Sequence, residues 1–447
     1  MSEPGTEKQA SATNVYGLDR PEILDLAPPE PKVLDETGLS LGLIQDLALR
    51  FLYYGGVMSG VDLASELGLA WSIVSEVLDF MVSEQQVDLR GGKGFGRASV
   101  DFVLTDRGRH AAREALQRST YIGPAPVPIL QYNALIMSQK EGFSFVSRDE
   151  LARAFRHLVI DDALLDRFGP AVNASRSLFL YGPPGNGKTT IAETISQVLG
   201  GEVYVPHALE IDGQIIKVYD PLAHIEVPLE TEDPHTGRTK RFEMDRRWML
   251  CRRPSVVVGG ELTLETLDLI WNSDAKFYEA PFQVKANGGM LLIDDFGRQR
   301  VHPTDLLNRW IVPLEKHIDF LTLHTGKKFE VPFDELIVFS TNLDPKELVD
   351  EAFLRRIKYK IEIGNPSERN YREIFRRVCK AAEIPYNDSA VDYIIDTYYR
   401  ATGMELRACH PRDIVQLLCD AARFLGRRPT LSQNLIDQAC RSFFVVI

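Results

Sequence analysis

Eight consecutive residues, Gly182-Pro183-Pro184-Gly185-Asn186-Gly187-Lys188-Thr189, constrain this chain more than any other part of it. They fit the pattern G-x-x-x-x-G-K-[ST], and their flanks fit it as well. Ser177-Leu178-Phe179-Leu180-Tyr181 has the apolar continuity of a short buried strand, and Thr190 to Leu199 has helical spacing. Strand, glycine-rich turn and helix in that order close backbone N–H groups around an anion at a helix N-terminus, where negative charge is already favoured. Residues 182–190 would then cradle phosphate oxygens, with Lys188 reaching the outer phosphates and the Thr189 hydroxyl holding Mg²⁺. The chain is expected to bind a nucleoside triphosphate.

A length of 447 residues allows two or three domains, each with a core of its own. No uninterrupted apolar run approaches the ~18 residues of a membrane span, so no membrane insertion is expected. Met1 to Ser11 is polar and lacks the layout of a signal peptide. The five cysteines are scattered without a C-x-x-C pair, which indicates neither a zinc site nor a disulfide framework and fits a reducing, cytoplasmic setting. A net charge of −12 means that DNA binding would need a locally basic patch.

Along the chain, residues 1–38 are polar and proline-rich and read as a flexible tail. Residues 39–118 carry three helical segments, two extended pieces around the glycine-rich turn 91–96, and a closing helix from Thr105. That order resembles a winged helix-turn-helix domain. The third helix, Ser72 to Ser83, presents Ile73, Val74, Val77, Leu78 and Met81 as its apolar positions. It has Glu76 and Asp79, with Glu84 just beyond, and no Lys or Arg. Basic residues occur in the wing instead, at Arg90, Lys93 and Arg97. Acidic side chains repel phosphates, which favours protein docking over DNA reading for this module. Residues 119–145, with Pro124, Pro126 and Pro128 discouraging helix, read as a linker.

Further motifs follow the phosphate loop. Met290-Leu291-Leu292-Ile293 is a buried strand delivering Asp294 and Asp295 beside it. Asp294 would hold the Mg²⁺ shell and Asp295 would polarise the attacking water. Glu335 to Phe339 is a third strand, ending at Ser340-Thr341-Asn342, where an amide can hold that water. Two arginines, Arg355 and Arg356, come next, and Arg412 lies near the start of a late helix, in His410-Pro411-Arg412-Asp413-Ile414.

In this order the motifs resemble the AAA+ ATPase family over residues 146 to 447. The resemblance implies an α/β fold, a five-stranded parallel P-loop sheet (146–365) followed by a helical lid (366–447), with ATP and Mg²⁺ as cofactors. It makes Asn342 a polar sensor, Arg355 or Arg356 (the latter favoured) a finger reaching into a neighbouring subunit, and Arg412 a lid sensor. It thereby implies a self-assembled ring, often a hexamer. Ala286-Asn287-Gly288-Gly289 resembles the branch holding MoxR-type chaperones, sigma-54 activators and MCM helicases, although no GAFTGA-type motif is present.

Two features depart from the family pattern. Asp295 stands where Glu is commoner, which leaves slow hydrolysis open. Residues 207–260 lengthen the stretch before Asp294 and read as a β-rich insertion. Its segment 238–253 holds Arg238, Lys240, Arg241, Arg246, Arg247, Arg252 and Arg253, which could grip nucleic acid or form a salt-bridged surface. Phe277 and Tyr278 could form an aromatic grip at a pore, or pack in a core. The leading expectation is an ATP-driven motor remodelling a protein client. A DNA-acting ATPase and a slowly hydrolysing nucleotide-dependent scaffold are the alternatives.

Overall fold

The computed structural model describes residues 21–91, 96–141, 145–174, 177–228, 230–232, 239–241, 244–348 and 351–444. In the N-terminal part, Ser40 caps helix α1 (Leu41–Gly55), and Ser59 caps α2 (Gly60–Leu67), which ends at Gly68 with φ 64°. Helix α3 (Trp71–Ser83) follows, and Thr105 caps α4 (Asp106–Arg118). Strands Val57–Ser59 and Val87–Arg90 pair antiparallel on either side of Asp101–Leu104. The five predicted apolar positions of α3 are all buried, in one cluster with Ile44, Leu47, Leu67 and Phe102. Lys93 lies outside the described residues.

The expected tail is not free over its described part. Ile23, Leu24 and Ala27 pack on the apolar cluster of the insertion. The Pro28 carbonyl accepts the Asp245 amide at 2.9 Å, and Thr37 is fully buried. A polar, proline-rich strap needs few apolar contacts when its backbone carbonyls are taken up by neighbouring donors. The expected linker is also built in. Val127–Pro128 joins a sheet, and helix α5 (Ile129–Glu141) starts immediately after the last of the three prolines. Proline excludes helix only from its own and preceding positions, so the restriction ends there.

That sheet runs Ile270–Asn272, Phe277–Glu279, Gln214–Lys217, Ala208–Ile211, Val127–Pro128 in spatial order. The β-rich insertion therefore recruits strands from both sides of 207–260. Tyr278 is buried in its core, and Phe277 packs against the N-terminal cluster, so these two rings pack rather than grip. Within the insertion, residues 224–228 contribute one isolated bridge, between Glu226 and Cys251. Arg238 lies outside the described residues.

The central sheet contains β1 (Leu178–Tyr181), β2 (Ser255–Val258), β3 (Met290–Ile293), β4 (Leu336–Thr341) and β5 (Tyr359–Glu362), all parallel, in the order β2-β3-β4-β1-β5. The inner strands β1, β3 and β4 read as largely unbroken apolar runs because both faces are covered. Leu178, Leu180, Met290, Leu292 and Val338 face one cluster, with Ile191 and Ile195 of helix α6 (Lys188–Leu199). Phe179, Leu291, Ile293, Ile337 and Phe339 face another, around Trp310. A C-terminal helical region, including Glu368–Ala381 and α7 (His410–Phe424), encloses its own core of Tyr371, Phe375, Val391, Leu418 and Ile436. This is an α/β P-loop fold with a helical C-terminal region. Among the described residues, no helix is long and apolar enough to cross a membrane.

Candidate functional site

In open parallel sheets the strand C-terminal ends converge on a crevice where the strand order reverses. Here β1, β3 and β4 end in that crevice, carrying the phosphate loop, Asp294 and Asn342 respectively. The loop closes tightly at two glycines. A Cβ at Gly182 (φ 135°) would lie 2.4 Å from the Ile363 carbonyl oxygen, and one at Gly185 (φ 81°) 2.6 Å from the Cys409 sulfur. Gly187 (φ 80°) forms the N-cap of α6 and turns the first-turn amides into the loop. Pro184 and Thr190 are exposed on the loop and the first turn of α6.

Lys188 is buried, and its ammonium donates to the carbonyls of Gly182 (2.8 Å) and Pro183 (2.9 Å) and to Asn342 Oδ1 (2.5 Å). Burial lowers its pKa, Asp294 and Asp295 oppose that shift, and Arg407 adds to it. The Asn342 amide nitrogen donates in turn to Asp295 Oδ1 at 3.2 Å. Asn342 thus bridges a cation and a carboxylate, an orientation its partners dictate. Asp295 sits at φ 49°, a left-handed conformation that Asp tolerates better than most residues, and its amide donates to Asp294 Oδ1 at 3.0 Å. Thr189 Oγ1 donates to Asp294 Oδ2 at 2.8 Å. Five predicted residues, Lys188, Thr189, Asp294, Asp295 and Asn342, are therefore one connected cluster.

The three predicted arginines have partners outside that cluster. Arg355 is exposed and pairs with Glu351 at 3.1 Å, while Arg356, the one favoured from the sequence, is more buried and donates from Nε to Glu315 at 2.6 Å. Arg412, on the first turn of α7, is exposed and pairs with its neighbour Asp413 at 3.3 Å.

What the sequence did not reveal is the seam between the loop and the helical region. The Cys409 amide donates to the Gly185 carbonyl at 2.8 Å, and the Ala408 amide to Asn186 Oδ1 at 3.1 Å. Asn186 Nδ2 donates to Asn365 Oδ1 at 2.8 Å, and Asn365 to Glu405 at 2.6 Å. Beside this chain opens a cavity of about 330 Å³, lined in part by Ile160, Asp161, Asn186, Ile363, Asn365 and Asn370. That volume is in the range of small-ligand pockets. His410, buried behind the seam with Nδ1 2.8 Å from the Tyr399 hydroxyl, has its pKa lowered to about 4 by burial, with Arg407 contributing. No motif signals Glu405, Arg407, Ala408 or Cys409, because the segment holding them is irregular.

Much of the basic segment is tied down internally. Arg246 donates to the Leu69 carbonyl at 2.6 Å, Arg247 is buried against Asp245, and Arg253 donates to the Gly288 carbonyl. Arg252 is exposed. The side chains of Lys240 and Arg241 lie outside the description.

Residues 367–442, most of the helical region, match the model of a domain of unknown function (DUF8689). No curated protein matches the chain. Among solved structures, the chain is similar to the RuvB Holliday junction branch migration motor from Thermotoga maritima at 13% identity, covering 67% of this chain and 70% of that one, with a TM-score of 0.34. It is also similar to NtrX from Brucella abortus in complex with ADP, at 14% identity over 73% of this chain and 64% of that one, with a TM-score of 0.38.

Proposed function

We propose that this chain is an ATPase of the AAA+ kind that assembles into a ring and remodels a protein client. One observation carries the ATPase reading. A lysine, a hydroxyl, two carboxylates and an amide converge at the ends of three adjacent strands around a helix N-terminus. In this reading the loop amides and Lys188 bind the phosphates, and the 330 Å³ cavity takes the base and sugar. Asp295 accepts a proton from the attacking water, which Asn342 orients.

Thr189 and Asp294 offer adjacent hard oxygen donors, which suits Mg²⁺, an ion that keeps several waters and needs few protein ligands. Among the described residues no group of three or more His, Cys, Asp and Glu side chains forms a metal cage, in keeping with so sparse a protein shell. When bound, Mg²⁺ would neutralise phosphate charge. Arg355 and Arg356 are the residues for a neighbouring subunit's nucleotide. Arg355 is the less encumbered of the two, since Arg356 is held by Glu315 and largely covered.

Protein is preferred over DNA as the client because of how the winged-helix-like module is seated. A recognition helix enters the major groove by its N-terminal end. Here the turn that leads into α3 is packed against the chain itself. A Cβ at Gly68 would lie 2.9 Å from the Arg246 carbonyl oxygen, Leu69 is fully buried, and Ser72 donates to the Lys32 carbonyl at 2.6 Å. Arg97 of the wing is paired with Asp79.

The deciding experiment is ATP turnover by the purified chain with and without duplex DNA, with Lys188→Ala as the blank. Turnover indifferent to DNA supports the proposal. Strong stimulation by DNA would replace it with a DNA-acting motor, and bound ATP without turnover would leave a scaffold.

A further inference from the structure

One buried side chain holds the seam at the phosphate loop from behind. The irregular stretch from Ala401 to Cys409 joins a π-helical turn, Ile395–Arg400, to α7, and Tyr399 ties both of its ends. At the near end the Tyr399 carbonyl accepts the Met404 amide at 3.2 Å. At the far end the Tyr399 hydroxyl lies 2.8 Å from His410 Nδ1, and the Tyr371 hydroxyl lies 3.0 Å from that of Tyr399. All three side chains are buried, and the rings of Tyr399 and His410 pack edge-on against Phe444 and Phe443 respectively. A hydroxyl both donates and accepts, so the chain Tyr371–Tyr399–His410 is satisfied in either direction. Deleting the middle hydroxyl takes a partner from two buried polar groups at once. The His410 amide donates to the Arg407 carbonyl at 3.2 Å, which closes the turn whose Ala408 and Cys409 amides fasten Asn186 and Gly185. That turn therefore ends on the residue that Tyr399 holds. π-Helical turns are rare and recur at functional sites.

We propose that Tyr399 is a positioning residue of the nucleotide site: its hydroxyl fixes His410, which holds the 407–409 turn against Gly185 and Asn186, so that nucleotide affinity is set in part from the core of the helical region. The inference rests on the nucleotide-binding reading given above. Tyr371, Tyr399 and His410 all fall within the domain matched over 367–442, which thereby gains a part in that site. Hydrogen bonds weaken steeply as their angle departs from linear, so a turn that shifts against the loop loses the bonds at Gly185 and Asn186 before it loses packing. Coupling between two sites is reciprocal. A nucleotide that tightens the loop tightens the turn, and a turn loosened at Tyr399 weakens the nucleotide.

The test titrates a fluorescent ADP analogue into the full chain and its Tyr399→Phe, His410→Phe, Tyr393→Phe and Lys188→Ala variants, with melting and hydrogen exchange followed with and without ADP. Tyr393 is the control, because its hydroxyl bonds Asp437 rather than His410. Tyr399→Phe should weaken the analogue about fivefold or more, and Tyr393→Phe less than about twofold, although both lower the melting temperature of the nucleotide-free chain. In the wild type ADP should slow exchange of the 404–410 amides together with those of the phosphate loop. In Tyr399→Phe the slowing should be confined to the loop. His410→Phe breaks the same bond from its other end and carries the test if Tyr399→Phe does not fold. Affinity equal to that of Tyr393→Phe, or protection of 404–410 that persists without the hydroxyl, overturns the inference while leaving nucleotide binding intact. A wild-type chain that binds the analogue no better than Lys188→Ala overturns the nucleotide reading and this inference with it.

Discussion

Truncating Arg247 to alanine should unlock the N-terminal module from the insertion. The Arg247 side chain is 2% exposed and its partner Asp245 3% exposed. Nε lies 3.0 Å from each Asp245 oxygen and Nη2 2.7 Å from Oδ2. Nη1 donates to the Thr37 carbonyl at 2.9 Å, and Nη2 to Gln131 Oε1 at 3.2 Å. One guanidinium thus ties together the strap, the insertion and the first turn of α5. Removing it strands a buried carboxylate and leaves a buried carbonyl without its donor.

Breaking a buried ion pair from one side costs about 3–5 kcal/mol. The lost bonds to Thr37 and Gln131 belong to the same desolvated group, so their contribution overlaps that figure rather than adding to it. A typical domain has about 5–15 kcal/mol in total, so the loss is a large fraction of what holds the module. Urea unfolding followed by tryptophan fluorescence reads it directly, since Trp71 begins α3 and Trp248 adjoins Arg247. Limited proteolysis of the 21–37 strap should speed up in parallel. The double variant Asp245→Leu/Arg247→Met removes both charges and should recover most of the loss, because an apolar pair of similar size avoids the stranded charge. A cost below about 1 kcal/mol for Arg247→Ala, or a double variant as damaged as the single one, would refute the reasoning.

Two other outcomes are expected. Asp295→Asn keeps a residue that tolerates the left-handed backbone while removing the acceptor of the proton, so turnover should fall by about 10²-fold or more with ATP affinity within about threefold; phosphate release and nucleotide titration separate the two. His207 and His410 are both held neutral by burial, with pKa values lowered from 6.5 to about 4, so the unfolded chain binds their protons first as pH falls. Stability should therefore decline between about pH 6.5 and 4 and be insensitive to these two groups above that window, as melting temperatures across the range would show.

The parts of the site legible in the sequence are those whose chemistry is carried by contiguous residues at strand ends. The loop 182–189, Asp294-Asp295 and Asn342 each follow an apolar run, and parallel strands with both faces covered leave little choice about where those ends meet. The seam was hidden for the opposite reason. Cys409 and Ala408 contribute backbone amides, which every residue type except proline possesses, and Arg407 sits in a stretch with no periodicity to place it. The helices of the N-terminal module were readable from their apolar spacing, whereas their seating was not. Val127–Pro128 pairing with Leu209–Glu210 and Thr37 meeting Arg247 are contacts between distant segments that no local pattern encodes.

The basic segment shows most plainly what composition leaves undecided. Seven cations within 238–253 suggest a surface for nucleic acid, yet a guanidinium serves equally well as an internal crosslink because it can satisfy several acceptors at once. Arg246 and Arg247 do this, taking up the carbonyls of Leu69 and Thr37 and the carboxylate of Asp245. Those carbonyls belong to the turn between α2 and α3 and to the proline-rich strap. The two side chains that would have widened a phosphate-binding surface are therefore spent on internal crosslinks. The strand Trp248–Arg252, which starts at the residue after Arg247, leads into β2 beside the Asp294 strand. If the chain is the motor proposed above, a rotation of the central sheet would be transmitted through that strand to a module fixed by Arg247, and the module would serve as a rigid arm.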